Sequence, residues 1–172
     1  GIMKKSISFE IFPLWVSILS SAVNIAIYAM GAYILFNFGW IYVIPYLLYC
    51  LWVESRVLKG SCADCYYYGK NCGGGKGKVC AVLYKKGDPE QFVTRCITWK
   101  DIFPDFFIAV IPLLCGMVLL YLSFSIALLM VLTLLFFLYF AGNAMLRGTF
   151  ACRYCKQREL GCPAGKVLNK KR

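Results

Sequence analysis

The chain has ten cysteines and no histidine in 172 residues. Six of the cysteines repeat one spacing. Cys62, Cys65 and Cys72 form a Cys-x2-Cys-x6-Cys run, and Cys152, Cys155 and Cys162 form the same run again. Two residues between cysteines let a tight turn aim two sulfurs at one ion, with backbone amides left to stabilise the sulfur charge. A tetrahedral zinc takes four such sulfurs at about 2.3 Å. One Cys-x2-Cys pair is weak evidence for a metal, but the same triple found twice is strong. Lys70, Lys76, Arg153, Lys156, Arg158 and Lys166 stand near the sulfurs in sequence. Positive charge there favours thiolate over thiol.

Two ligand partitions follow. The first uses Cys62, Cys65, Cys72, Cys152, Cys155 and Cys162. Its spacing is similar to that of the two-zinc, six-cysteine clusters of fungal transcription factors, in which six thiolates hold two zincs and two of them bridge. The similarity covers 62–72 and 152–162 and implies two zincs shared by those six residues. DNA binding is not carried over, because 79 residues separate the two runs here. The second partition adds Cys80 to the first run and Cys96 to the second, giving two four-cysteine sites. Cys50 and Cys115 lie in apolar stretches and read as small buried hydrophobes.

Zinc is the leading expectation, and an iron–sulfur cluster, also held by four thiolates, is the alternative. The compact Cys-x2-Cys-x2-Cys run of bacterial ferredoxins is absent. A closed all-cysteine site suits structure or electron transfer rather than catalysis at an open metal, so no enzyme is expected. Three functions fit. The first is a zinc staple that also docks a cytoplasmic protein. The second is a redox protein serving a membrane quinone-like carrier through an iron–sulfur or dithiol centre. The third is a transporter of soft metal ions.

The elements that position these cysteines are set by where charge is missing. No Asp, Glu, Lys or Arg occurs in the 43 residues between Glu10 and Glu54, or in the 41 between Asp105 and Arg147. About 20 apolar residues cross the roughly 30 Å hydrocarbon layer, so each block is two spans and a turn. Spans are predicted at 13–35, 40–55, 105–122 and 126–145, with turns at Asn37-Phe38-Gly39 and Ser123-Phe124-Ser125. All 19 Lys and Arg lie before the first block, between the blocks, or after the second. Two hairpins place those three regions on one side, and the positive-inside rule makes that side cytoplasmic, with both termini and the loop 54–105. The net charge of +11 then meets anionic lipid rather than nucleic acid.

The chain also reads as a duplication. Glu10-Ile11-Phe12-Pro13 is matched by Asp101-Ile102-Phe103-Pro104, and Leu58-Lys59-Gly60-Ser61 by Leu146-Arg147-Gly148-Thr149. Cys62, Cys65, Cys72, Gly75 and Lys76 are matched by Cys152, Cys155, Cys162, Gly165 and Lys166. The expected fold is an all-α integral membrane protein of two tandem hairpins under a cysteine-rich cytoplasmic cap. Repeat 1 spans 8–78, a polar linker with Cys80 and Cys96 spans 79–98, and repeat 2 spans 99–168. A unit with an even number of spans keeps its orientation when duplicated, so the repeats are expected to be parallel and related by a pseudo-twofold along the membrane normal, unlike inverted transporter repeats.

Smaller expectations complete the reading. Ser17, Ser20, Ser21, Asn24 and Asn143 are expected to bond neighbouring membrane helices. Glu10 and Asp101, each before a Phe-Pro pair, read as helix-start residues. Positions 97–103 read as an interfacial segment. Tyr66-Tyr67-Tyr68 reads as an interfacial or metal-shielding group. The glycines after Cys72 read as a flexible turn, since no Ser or Thr follows Lys76 as a phosphate-cradling loop requires.

Overall fold

The computed structural model describes residues 8–95 and 99–162. Among the described residues the regular elements are all helical. The long helices are α1 (Leu14–Phe36), α2 (Trp40–Val57), α5 (Trp99–Leu122) and α6 (Ile126–Phe137). Short helices α3 (Gly77–Leu83) and α4 (Pro89–Thr94) lie between α2 and α5, and α7 (Asn143–Met145) and α8 (Lys156–Gly161) follow α6. A π-helical turn at Leu58–Cys62 prolongs α2. Two more, at Leu138–Gly142 and Leu146–Ala151, carry α6 through α7.

Four helical stretches are long and apolar enough to cross a membrane: Leu14–Phe36, Trp40–Cys62, Lys100–Leu122 and Ile126–Tyr154. The shortest have 23 residues, about 35 Å at about 1.5 Å per residue. At most 28% of the most apolar part of any of them is buried within the fold. Ile25, Trp40, Leu48, Val118, Ile126 and Met130 all face outward. Water would penalise that surface heavily, whereas lipid is its proper solvent. The chain is therefore a multi-pass membrane protein.

Both turns fall where they were predicted. Gly39 takes φ +140°, a conformation that favours glycine, and its N–H donates to Phe36 O at 3.0 Å. The Ser123-Phe124-Ser125 turn joins α5 to α6.

The third span differs from expectation. It starts at Trp99, six residues before the predicted 105, and Pro104 lies inside it. From Trp99 onward the expected interfacial segment is the first turn of α5, while positions 97 and 98 lie outside the described residues. An interior proline frees the carbonyl four residues back. For Pro104 that carbonyl belongs to Lys100, and Arg56 Nη2 donates to it at 2.9 Å while also reaching Asp101 Oδ1 at 3.3 Å. For Pro112 it belongs to Ile108, and the buried Tyr46 hydroxyl donates to it at 3.0 Å. Side chains of α2 thus supply the donors that the prolines of α5 remove. Within a bilayer, where water cannot serve, such replacement is what permits a broken ladder.

The described residues form two compact units. The helix-bundle unit takes in 22–56 and 99–144, and the cysteine-rich unit takes in 8–21, 57–95 and 145–162. The bundle core joins Ile27, Ile34 and Leu35 to Tyr46, Cys50, Val53, Ile108, Leu128, Leu132 and Leu135. Gly31 packs against the Tyr46 ring so closely that a methyl group there would collide with it. Small residues at such crossings let membrane helices approach.

Candidate metal centre

Both cysteine runs are entered the same way. The Leu-basic-Gly-hydroxyl sequence occurs twice and forms a π-helical turn each time, Leu58–Cys62 and Leu146–Ala151. The leading leucine, Leu58 or Leu146, is buried. A π turn adds a residue to the helical ladder and redirects the chain beyond it.

Past these turns the sulfurs accept backbone amides. Cys65 accepts the N–H of Tyr67, and its equivalent Cys155 accepts those of Gln157 and Arg158. Cys72 accepts from Lys76 at 3.2 Å and Gly77 at 3.3 Å. Amide donors favour the charged form of a sulfur. Burial acts against them and pushes the Cys65 thiol up to about 11, with the nearby sulfurs of Cys155, Cys72 and Cys162 adding to the rise. Burial also raises the Cys155 thiol, against its two amides, and Cys152 and Cys162 push the same way. Cys65 therefore lies within electrostatic reach of two cysteines from the other run. Cys65, Cys72 and Cys155 pack on one apolar cluster built around Phe12, Val16 and Tyr67.

A reciprocal pair of hydrogen bonds joins the two runs. Tyr67 and Gln157 each follow the second cysteine of their run by two positions. The Tyr67 hydroxyl accepts the N–H of Lys156 at 2.9 Å and donates to Phe9 O at 2.5 Å. The Gln157 Oε1 accepts the N–H of Tyr66 at 2.8 Å. Each side chain thus holds the amide one position after the second cysteine of the opposite run. Tyr67 is 2% exposed and Gln157 3%, so these bonds satisfy groups that water does not reach.

The start of α1 and the residues before it clamp this arrangement. Phe9 N–H donates to Tyr154 O at 2.9 Å and Phe12 N–H to Asn71 O at 3.1 Å. The Ser17 hydroxyl donates to Cys72 O at 2.7 Å and that of Ser20 to Gly73 O at 2.6 Å. These two serines hold the cysteine segment rather than a neighbouring membrane helix. Their spacing of three, one face of a helix, was the available signal. Within the glycine turn Gly73 abuts Ala151 and Phe12, and Gly75, at φ +74°, abuts Ser17 and Ser21, while Gly74 faces open space.

The two acids that each precede an Ile-Phe-Pro sequence form ion pairs. Glu10 meets Lys156 at 2.7 Å and Asp101 meets Arg56 at 3.3 Å. The hydrogen bond and charge of Lys156 hold the Glu10 carboxyl below its ordinary range.

The other cysteines divide by role. Cys80 is fully buried against Leu58, Ala63 and Cys62, and its thiol donates to Leu58 O at 3.4 Å. Cys50 is buried in the bundle core and Cys115 packs against it. Cys96, Gly165 and Lys166 lie outside the described residues. The nine described cysteines are free thiols. As they stand, no three Cys, Asp or Glu side chains among the described residues form a group that could hold a metal ion. No protein family, curated protein or solved structure matches the chain.

Proposed function

We propose that this chain is a membrane metalloprotein of two parallel repeats in which Cys62, Cys65, Cys72, Cys152, Cys155 and Cys162 hold zinc. The zinc staples the repeats on the cytoplasmic side and shapes a face that docks a cytoplasmic protein. The observation that carries this reading is the reciprocal bonding of the two cysteine runs. Exchanging the repeats turns the Tyr67–Lys156 bond into the Gln157–Tyr66 bond, as a pseudo-twofold requires.

The donor set fits zinc in its chemistry. Cys65, Cys72 and Cys155 already accept amides, the bonds that stabilise a metal-bound thiolate. Burial holds the Cys65 and Cys155 thiols toward their protonated form, and no three described side chains gather into a metal-holding group. Loading zinc therefore releases protons and draws the sulfurs together, so that metal affinity becomes folding energy. Cys80 lies beside Cys62 and within electrostatic reach of Cys72, so the eight-cysteine set is the second reading.

Elemental analysis of the purified full chain tests the reading. About two zincs per chain are expected, as for a six-thiolate set. Cys65→Ser and Cys155→Ser should each lose metal, while Cys80→Ser keeps it. A brown protein with visible absorption would replace zinc by the iron–sulfur, electron-transfer reading. A colourless, metal-free protein whose thiols all alkylate without reduction would end both.

A further inference from the structure

The cysteine-rich unit contains a cavity of about 400 Å³ whose wall includes Cys65, Tyr66, Tyr68, Lys70, Lys86 and Glu90. That volume lies within the usual range for small-molecule sites, about 300–1,000 Å³. Two of its aromatic walls are fixed. Lys70 Nζ lies 4.2 Å from the Tyr66 ring centroid and Lys156 Nζ lies 5.4 Å from it, so the ring is held by two ammonium groups. The Tyr68 hydroxyl is held by Tyr84 O at 2.8 Å. Gln157, also on the wall, is committed to the Tyr66 amide. The charged groups on the wall are then the ammoniums of Lys70 and Lys86 and the carboxylate of Glu90.

From this we infer that the cavity is a binding site for a small organic anion: one flat ring carrying one phosphate or carboxylate group. Lys70 and Lys86 take the anionic group. Tyr66 holds Lys70 against its ring face, and Tyr68 flanks the ligand ring, as aromatic walls do for planar ligands. Glu90 repels a second anionic group, which sets the class at singly substituted anions. Cys65 closes the wall, so the occupant sits against the first cysteine run. The site stands on its own geometry and does not rest on the metal reading.

Equilibrium dialysis tests it with the full chain in nanodiscs of phosphatidylcholine, with empty nanodiscs subtracted. The probe is 1-naphthyl phosphate, compared with 1-naphthol and inorganic phosphate. Saturable binding of one probe per chain is expected. The Lys70→Gln/Lys86→Gln variant, which removes both charge-assisted contacts, should weaken it by about ten-fold or more. Lys59→Gln/Lys78→Gln removes the same charge away from the cavity and should change little. Glu90→Gln should tighten binding, an outcome that misfolding cannot imitate. Absence of saturable binding, or equal loss in both lysine pairs, overturns the site. Equal binding of 1-naphthol overturns the anion, and equal binding of inorganic phosphate overturns the ring.

Discussion

At the scale of single residues, the two side chains that join the cysteine runs are chemically unlike. Tyr67 and Gln157 occupy equivalent positions and bond equivalent amides, yet share only the ability to offer an oxygen about one side-chain length from the backbone. Replacing Gln157 by Leu keeps the volume and leaves the Tyr66 N–H buried without its acceptor. We expect a loss of about 1–3 kcal/mol, read as a lower midpoint of thermal unfolding in detergent, with Gln157→Glu losing less. The cysteines were legible in the sequence because their spacing repeats residue for residue. The Tyr67–Gln157 pairing was not, since a repeat found by matching identical types passes over unlike residues that do one job. Ser17 and Ser20 were hidden for a related reason. Their partners are the backbone carbonyls of Cys72 and Gly73, and a carbonyl leaves no mark on the sequence.

At the scale of elements, the hairpins were legible because charge-free blocks of about forty residues admit few other readings. The start of α5 was not. Pro104 read as a helix opener because proline suits the first turn. The structure instead carries it inside the helix, with Arg56 of α2 supplying a donor to the freed carbonyl. Compensation between elements distant in sequence lies beyond any local rule. The second proline gives a clean test. Tyr46→Phe leaves the Ile108 carbonyl without a donor and should cost about 0.6–1.7 kcal/mol, from the average to the largest value measured for interhelical bonds in a membrane protein. Pro112→Ala restores an amide to that carbonyl, so in this background the cost of Tyr46→Phe should fall toward zero. Unfolding midpoints of the four proteins close the cycle. A cost that is the same in both backgrounds would mean that Tyr46 acts by packing alone.

At the scale of the whole molecule, sidedness is open to direct measurement. All 19 basic residues lie outside the two charge-free blocks, and the two hairpin turns carry none of them. An impermeant thiol reagent added to intact cells should label a cysteine placed at Asn37 or Phe124. It should reach the native cysteines of both runs only after lysis. Labelling of Cys65 or Cys155 from outside would reverse the topology and put both runs in an oxidising compartment, where disulfides become the default. The reciprocal bonds between the runs bear on origin as well as on assembly. Mutual contacts of the form i to j and j to i are the signature of a face that complements itself, the kind through which two identical chains pair. Under the duplication proposed above, a half-length ancestor with one hairpin and one cysteine run would present both the side-chain oxygen and the amide needed to receive its twin. Joining two such copies in one gene would turn a dimerisation face into an internal contact, leaving each half free to change its residues so long as the exchange of bonds was kept.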